Sequence, residues 1–271
     1  MIKTVNLYGR VFIECEIETK SGLHIGGAES SLAIGGVDNV VIRDPLSGRP
    51  YVPGSSLKGK MRSQMEKFHS RKQNQPIGRD VKIHVCKNAE DYADCVVCHI
   101  YGLPGDSTFS TSTRLVVRDV QLTKTSIERL NAAKTDLPFS EVKWEVAIDR
   151  VTSAATPRQM ERVPAGAMFG PAEMVYSIYE QADVERFENV VEGMQLLEDD
   201  YLGGSGSRGS GKVAFCKIQV YARARGDYRQ RRYYQGDDFE FADLAALNDE
   251  LKDVVQWIKN TGVPVQNGRE G

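Results

Sequence analysis

From Val11 to Thr19 the chain alternates, with Val11, Ile13, Cys15 and Ile17 set against Glu14, Glu16 and Glu18. That period of two predicts a half-buried strand. A glycine-rich loop, GLHIGG at 22–27, and a short apolar piece, VVIR at 40–43, come next. The turn DPLSGRP then leads into PGSSLKGKMRSQMEKF, where Leu57, Met61, Met65 and Phe68 recur at helical spacing. Ser55 or Ser56 is the expected N-cap of that helix.

From about 69 to 110 the chain is polar, broken and cysteine-bearing, which predicts an insertion folded as a small metal-stapled lobe. Strand patterns follow at RLVVRDVQL (114–122), KWEVAID (143–149) and AEMVYSIY (172–179). Between the last two, RVTSAATPRQMERVPAG (150–166) is expected to be irregular and to project as a hairpin. Val184, Phe187, Val191, Met194 and Leu197 mark a second amphipathic helix, ended by GGSGSRGSGK before the strand VAFCKIQVYA. The order strand, helix, strand, strand, helix, strand suits an α+β, ferredoxin-like core over residues 1–222. A last helical pattern from Phe241 to Ile258 lies in a C-terminal helical extension, 223–271, whose final residues should fray.

Composition bounds the function only loosely. The 271 residues carry a formal charge of -2, so any nucleic-acid contact must come from local clusters of Lys and Arg. No apolar run reaches the ~18 residues of a membrane span, and the N-terminus lacks a secretory pattern, which predicts a cytoplasmic protein without membrane contact. Cys15 and Cys216 stand alone in apolar segments and are expected to be small buried hydrophobes. His84, Cys86, Cys95 and Cys98 instead crowd together, a full set of nitrogen and sulfur ligands for tetrahedral zinc. Four protein ligands leave no open position, so that zinc would be structural. His99 is the alternative to His84.

Other charged positions suggest contacts to phosphate. A helix opened by Ser55 and Ser56 presents free N–H groups to an anion, and Lys58 and Arg62, four apart, share a face while Lys60 points elsewhere. An ordinary solvated basic face is the bland alternative. The run from Gly203 to Gly211, with Arg208 and then Lys212, lets backbone approach phosphate closely, or is simply a flexible turn. It lacks the spaced GK[ST] ending of a Walker loop, so nucleotide hydrolysis is not expected. Arg150, Arg158 and Arg162 on the projecting segment could touch phosphates while Val151 and Met160 wedge between bases, or all could lie on an exposed polar hairpin. The late run RARGDYRQRRYY suits stacking and phosphate contact or a solvated linker.

Three stretches in fixed order, GLHIGG with GGVDNVVIRDP, then YVPGSSLKGKMR, then GSGSRGSGKV, resemble the backbone subunits of type III-A CRISPR effector complexes, members of the RAMP superfamily. The resemblance implies a modified ferredoxin-like, RNA-recognition-motif-like core with a zinc-bearing insertion and a projecting thumb. It further implies copies of the chain in a filament along a guide RNA, beside other type III effector subunits. It makes the Lys58 helix the guide-holding one and the arginine hairpin the thumb that kinks the duplex. It also assigns Asp38 as the residue that cleaves complementary target RNA, the third partner. Without the family, Asp38 beside Asn39 reads as a turn. Cleavage can proceed by attack of the adjacent 2′-hydroxyl, with Mg²⁺ or Mn²⁺ held partly by Asp38 stabilising charge on the phosphate. His24 is open between general base, structural hydrogen-bonder and RNA contact. A non-catalytic RNA-holding scaffold and a free-standing enzyme that cuts guide precursors are the competing functions.

Overall fold

The computed structural model describes residues 5–27, 39–78, 81–104, 108–261 and 263. The predicted first strand is β1 (Gly9–Thr19), followed by β2 (Tyr51–Val52) and the helix α1 (Gly54–Phe68). α1 is capped two to three residues ahead of the expected serines. Pro53 occupies the N-cap, and the Gly54 N–H donates instead to Asp119 Oδ1 at 2.7 Å. Ser55 and Ser56 therefore lie inside the first turn. Gly54 is obligatory there, since a Cβ would stand 2.2 Å from the Val117 carbonyl oxygen.

The cysteine-bearing stretch holds a small hairpin, β3 (Gln75–Pro76) and β4 (Lys82–Ile83), then α2 (Ala89–Ala93) and α3 (Val96–Tyr101). It is less detached than expected. Val97, Cys98, Ile100 and Tyr101 are buried in the main core with Met61 and Met65 of α1. β5 (Leu115–Val117), β6 (Val120–Gln121) and α4 (Lys124–Ala132) follow.

β7 (Glu141–Ile148) and β8 (Ala155–Arg162) pair antiparallel in unbroken register, from Glu141 opposite Arg162 to Ile148 opposite Ala155. The segment expected to be irregular thus contributes a strand, and the projecting unit spans 141–162 rather than 150–166. Pro157 hid it, because proline within a run argues against a strand, yet a two-stranded ribbon is all edge and tolerates one.

β9 (Met168–Ile178) leads to α5 (Ala182–Glu185) and α6 (Phe187–Asp199), then β10 (Val213–Ala224), β11 (Arg232–Tyr233) and β12 (Phe241–Asp243). Phe241 is therefore in a strand, and the C-terminal helical pattern resolves into α7 (Leu244–Asp249), capped by Asp243, and α8 (Leu251–Asn260).

The result is a mixed α/β fold around one antiparallel sheet in the order β11-β10-β1-β9-β5, with β12 also on β10. Period-two alternation divides β1 between two environments. Val11, Ile13, Cys15 and Ile17 join the main core under α1 and α6, whereas Phe12 packs on the opposite face with Val175 and Tyr221. On α6, Phe187, Val190, Val191, Met194 and Leu197 are fully buried, worth about 1.5–3 kcal/mol each before entropy is counted. Gly193 lets α6 approach α3, since a Cβ there would meet the Tyr101 hydroxyl at 2.6 Å. No helix among the described residues is long and apolar enough to cross a membrane.

Candidate functional site

The loop leaving β1 forms a cradle at His24. Its Nδ1–H donates to the Glu161 carbonyl at 2.6 Å, leaving Nε2 as the acceptor. Gly204 N–H donates to the His24 carbonyl at 2.8 Å. Gly203 has φ +77°, and a Cβ there would stand 2.1 Å from that same carbonyl oxygen, so both conformation and space demand glycine. The glycine-rich run is consequently a built element, stitched to the 22–24 segment again by Gly211 N–H to the Gly22 carbonyl at 2.9 Å. His24 is thereby structurally engaged through Nδ1.

Asp38 lies outside the described residues, but the chain before residue 28 and after residue 38 is tied together. Gly27 N–H donates to the Val40 carbonyl at 3.1 Å and Ile42 N–H to the Ile25 carbonyl at 2.8 Å. Asn39, next to Asp38, accepts from Glu161 N–H at 3.0 Å. The Glu161 carboxylate is 2 % exposed and takes Val41 N–H at 2.8 Å, Arg43 Nη2 at 2.5 Å and Ser140 Oγ at 2.5 Å. The base of the β7–β8 hairpin is thus welded to the segment 39–43, which follows Asp38.

The same hairpin reaches the glycine-rich run through Glu145. Lys143 Nζ lies 3.2 Å, Arg208 Nη1 3.3 Å and Arg158 Nη2 3.5 Å from its carboxylate. Burial alone would raise the Glu145 pKa, but the hydrogen bond and charge of Lys143, with Arg208 and Arg158, carry it below the ordinary carboxylate range. Arg162 pairs with Glu141 at 2.6 Å and lies where a Cβ on Gly22 would sit. Arg150 is exposed at the hairpin turn beside Val151, and Met160 is buried at the base. The wedge expected from Met160 is therefore ruled out by its burial. Trp144, Val146 and Ile148 instead form an exposed apolar stripe, residues that the spacing of β7 could have revealed.

On α1 the five expected contacts separate. Ser55 is exposed and Ser56 half-buried. Lys58 is half-buried with no carboxylate partner among the described residues, and its pKa is lowered by burial and by the neighbouring charge of Arg62. Lys60 is committed to Asp200 at 2.7 Å, its ammonium 3.6 Å from the Tyr201 ring centroid. A Cβ on Gly206 would overlap that ring, so α1 and the glycine-rich run meet at Tyr201. Arg62 is turned inward. It bonds Glu66 Oε1 at 2.9 Å, the Gly102 carbonyl at 3.1 Å and the His84 carbonyl at 2.7 Å, which leaves its guanidinium no free fork for phosphate. Lys212 is exposed and bonds the Glu198 carbonyl at 2.5 Å.

That inward clamp faces the metal-type cluster. One ligand atom each from His84, Cys86, Cys95 and Cys98 lies within 4.8 Å of every other, and all four residues are buried. Zn–S near 2.3 Å and Zn–N near 2.0–2.1 Å set tetrahedral edges of roughly 3.4–3.8 Å, so the donor set fits zinc. The 3.5 and 3.3 Å separations of His84 Nε2 from the Cys86 and Cys95 sulfurs match that scale. His84 Nδ1–H donates to the Lys72 carbonyl at 3.0 Å, which aims the Nε2 lone pair at the thiols. Hydrogen bonding from Cys98 pulls the Cys95 thiol down to about 4, while burial pushes Cys86 up to about 11. His99 is no alternative ligand: its Nδ1 bonds the Cys95 carbonyl at 2.9 Å and its ring stacks on Tyr92 at 4.1 Å.

Comparison with known proteins follows the same segments. The family described as the RAMP superfamily matches residues 16–214. A protein of Methanocaldococcus jannaschii named CRISPR system Cms endoribonuclease Csm3 is 37% identical over 253 residues, covering 92% of this chain and 96% of its own. The Streptococcus thermophilus protein of that name is 37% identical over 217 residues, 79% of this chain and 90% of the relative. Among solved structures, the Methanopyrus kandleri Csm3 crystal structure superposes with a TM-score of 0.64 at 23% identity, covering 93% of this chain and 98% of its own. A chain of the Csm3-Csm4 subcomplex in the type III-A CRISPR-Cas interference complex gives 0.57 at 29% identity, over 92% and 98%.

Proposed function

The chain belongs to the RAMP superfamily, and from that membership we propose that it is a backbone subunit of a type III CRISPR ribonucleoprotein that cleaves target RNA paired to a guide. One observation carries the reading. α1, the glycine-rich run, the His24 loop and the hairpin base form a chain of direct contacts, through Lys60 to Tyr201, Gly204 to His24, and His24 to Glu161. They are the segments an RNA-holding surface would need together. The sheet order β10-β1-β9-β5, with the last of these strands beside the first and the third between first and second, supports a ferredoxin-like core. The β7–β8 hairpin is its thumb.

Within that surface Lys58 is the best phosphate contact on α1, because an anion restores to a poorly solvated ammonium the stabilisation that burial removes. Ser55, Ser56, Arg150 and Lys212 keep exposed or half-exposed polar groups for RNA. Arg158 and Arg208 stay in reach, 42% and 52% exposed, although they share Glu145. Arg62, Lys60 and Arg162 act chiefly as braces. Asp38 is the cleaving residue, and Mg²⁺ or Mn²⁺ would supply charge stabilisation on the phosphate oxygens with Asp38 as one ligand. The guide RNA, copies of this chain and other type III subunits complete the assembly, and the buried Cys₃His set holds a structural zinc.

The deciding experiment assembles the chain with guide RNA and partner subunits, then adds labelled complementary RNA and Mg²⁺. Evenly spaced cuts are expected, and Asp38→Ala should abolish them while target binding persists. Normal cutting by that variant would overturn the catalytic assignment. Intact target bound equally by both chains would make the subunit a scaffold.

A further inference from the structure

Several arginines elsewhere in the fold are neutralised. Arg43, Arg62, Arg114, Arg162 and Arg186 each reach a carboxylate within 3.0 Å. Arg10, Arg223, Arg225, Arg229 and Arg231 form no ion pair among the described residues and gather where β1 and β10 run into the segment 225–233, whereas Arg232, opposite core-facing Ala222, turns to the other sheet face and donates to the Thr261 carbonyl. These side chains are held in place by rings and hydroxyls. Arg10 Nη1 donates to the Tyr228 hydroxyl at 2.8 Å and its Nε to Ser177 Oγ at 3.3 Å. The Arg223 guanidinium lies 5.6 Å from the Phe12 ring and 5.8 Å from Tyr228, with its Nε buried and without a hydrogen-bond partner. Arg231 lies 5.0 Å from the Tyr221 ring and donates to the Tyr233 hydroxyl at 3.2 Å.

Like charges crowded together cost free energy, and Glu14, the carboxylate that acts on Arg231, accepts from the Tyr221 hydroxyl at 2.9 Å and makes no direct ion pair with the arginines. Guanidinium forks already fixed on aromatic faces lose little entropy on meeting an anion. Phe12 and Tyr221 are 9% and 1% exposed and stack on each other at 4.6 Å, so this sheet face offers bases no bare ring platform. What it offers is an ordered set of cationic forks with the half-exposed rings of Tyr228 and Tyr233. We propose that this arginine–tyrosine face binds the phosphate backbone of single-stranded RNA, as a site separate from the surface described above. The His24 cradle follows the Thr19 end of β1 and the arginines cluster at its Gly9 end. At ~3.3 Å per residue the two are about 30 Å apart. The inference rests on the reading that this chain works on RNA. It adds a second track for strand outside the guide-paired region.

The test uses the full-length protein and a labelled homopolymeric uridine RNA of about thirty nucleotides carrying 4-thiouridine. Arg225→Glu, Arg229→Glu and Arg231→Glu are combined in one variant, all three side chains being exposed, and its thermal midpoint should match the parent. Photocrosslinks to Tyr228 or Tyr233 are expected. The variant should bind about tenfold more weakly, with the slope of log affinity against log salt reduced by about 2. Crosslinks confined to α1 and the glycine-rich run, with variant affinity and slope equal to the parent, would overturn the proposal and leave target cleavage untouched. If the variant keeps its RNA affinity but drops out of the assembled complex on size exclusion, the face is a protein interface and the proposal likewise fails. A failure of the cleavage reading appears elsewhere, as undiminished cutting by Asp38→Ala.

Discussion

Arg114 and Asp183 have left water together: their side chains are 1% and 0% exposed, 3.0 Å apart, and Asp183 also accepts the N–H groups of Tyr179 and Glu180 at 2.9 and 3.1 Å. Removing Asp183 leaves buried Arg114 only Glu180, itself 46% exposed, as counter-charge at 3.3 Å and unpairs two backbone N–H groups. Asp183→Ala should therefore lower unfolding free energy by about 3–5 kcal/mol in a denaturant titration, whereas Arg114→Met with Asp183→Leu should recover much of the loss. An exposed surface pair would show neither result. Residues were the scale at which sequence reading was least complete. Lys58 and Arg62 share a helical face by spacing, yet only the fold shows that Arg62 faces the His84 carbonyl and Lys58 has no carboxylate partner among the described residues. Asp119 caps α1 from 65 positions away, a distance no local capping rule spans. His84, Cys86, Cys95 and Cys98, by contrast, were legible because metal chemistry admits few donor types at short spacing.

Among the elements, α1 serves two neighbours. Its first turns meet the glycine-rich run at Tyr201, and its later turns hold the cysteine cluster through Arg62 and Glu66, which takes the His84 N–H at 3.0 Å. Protein prepared without added metal should contain close to one zinc per chain by elemental analysis. Stripping it with a chelator should lower the thermal midpoint by about 10 °C, since a few kcal/mol of site energy is folding energy here. A metal-free protein with an unchanged midpoint would dismiss the zinc. Alternation exposed β1 in the sequence, and helical spacing exposed α1 and α6. β8 escaped because ATPRQMER lacks alternation and takes its strand form from pairing with β7.

For the molecule as a whole, the hairpin is anchored at its base and free at its tip. The outer part of the hairpin carries Val146 and Ile148 about half exposed and Val151 92% exposed, so it adds little to the main core. Replacing residues 146–157 by a two-residue turn should leave the thermal midpoint within about 2 °C while spoiling spaced cutting in the assembled complex; a large midpoint drop would show the hairpin to be part of the folding unit. The alternation of strands and helices was legible along the chain, but the hairpin's weld to the segment 39–43 through Glu161 is a tertiary fact with no sequence signal.

β1 has a further consequence. It is the inner strand between β9 and β10, so on leaving the ribosome it finds partners only roughly 150 to 215 residues later. At about 5–20 residues per second, translation leaves it unpaired on both edges for on the order of ten to forty seconds. Glu14, Glu16 and Glu18, interleaved with its apolar residues, act during that wait as gatekeepers against edge-to-edge association of nascent chains.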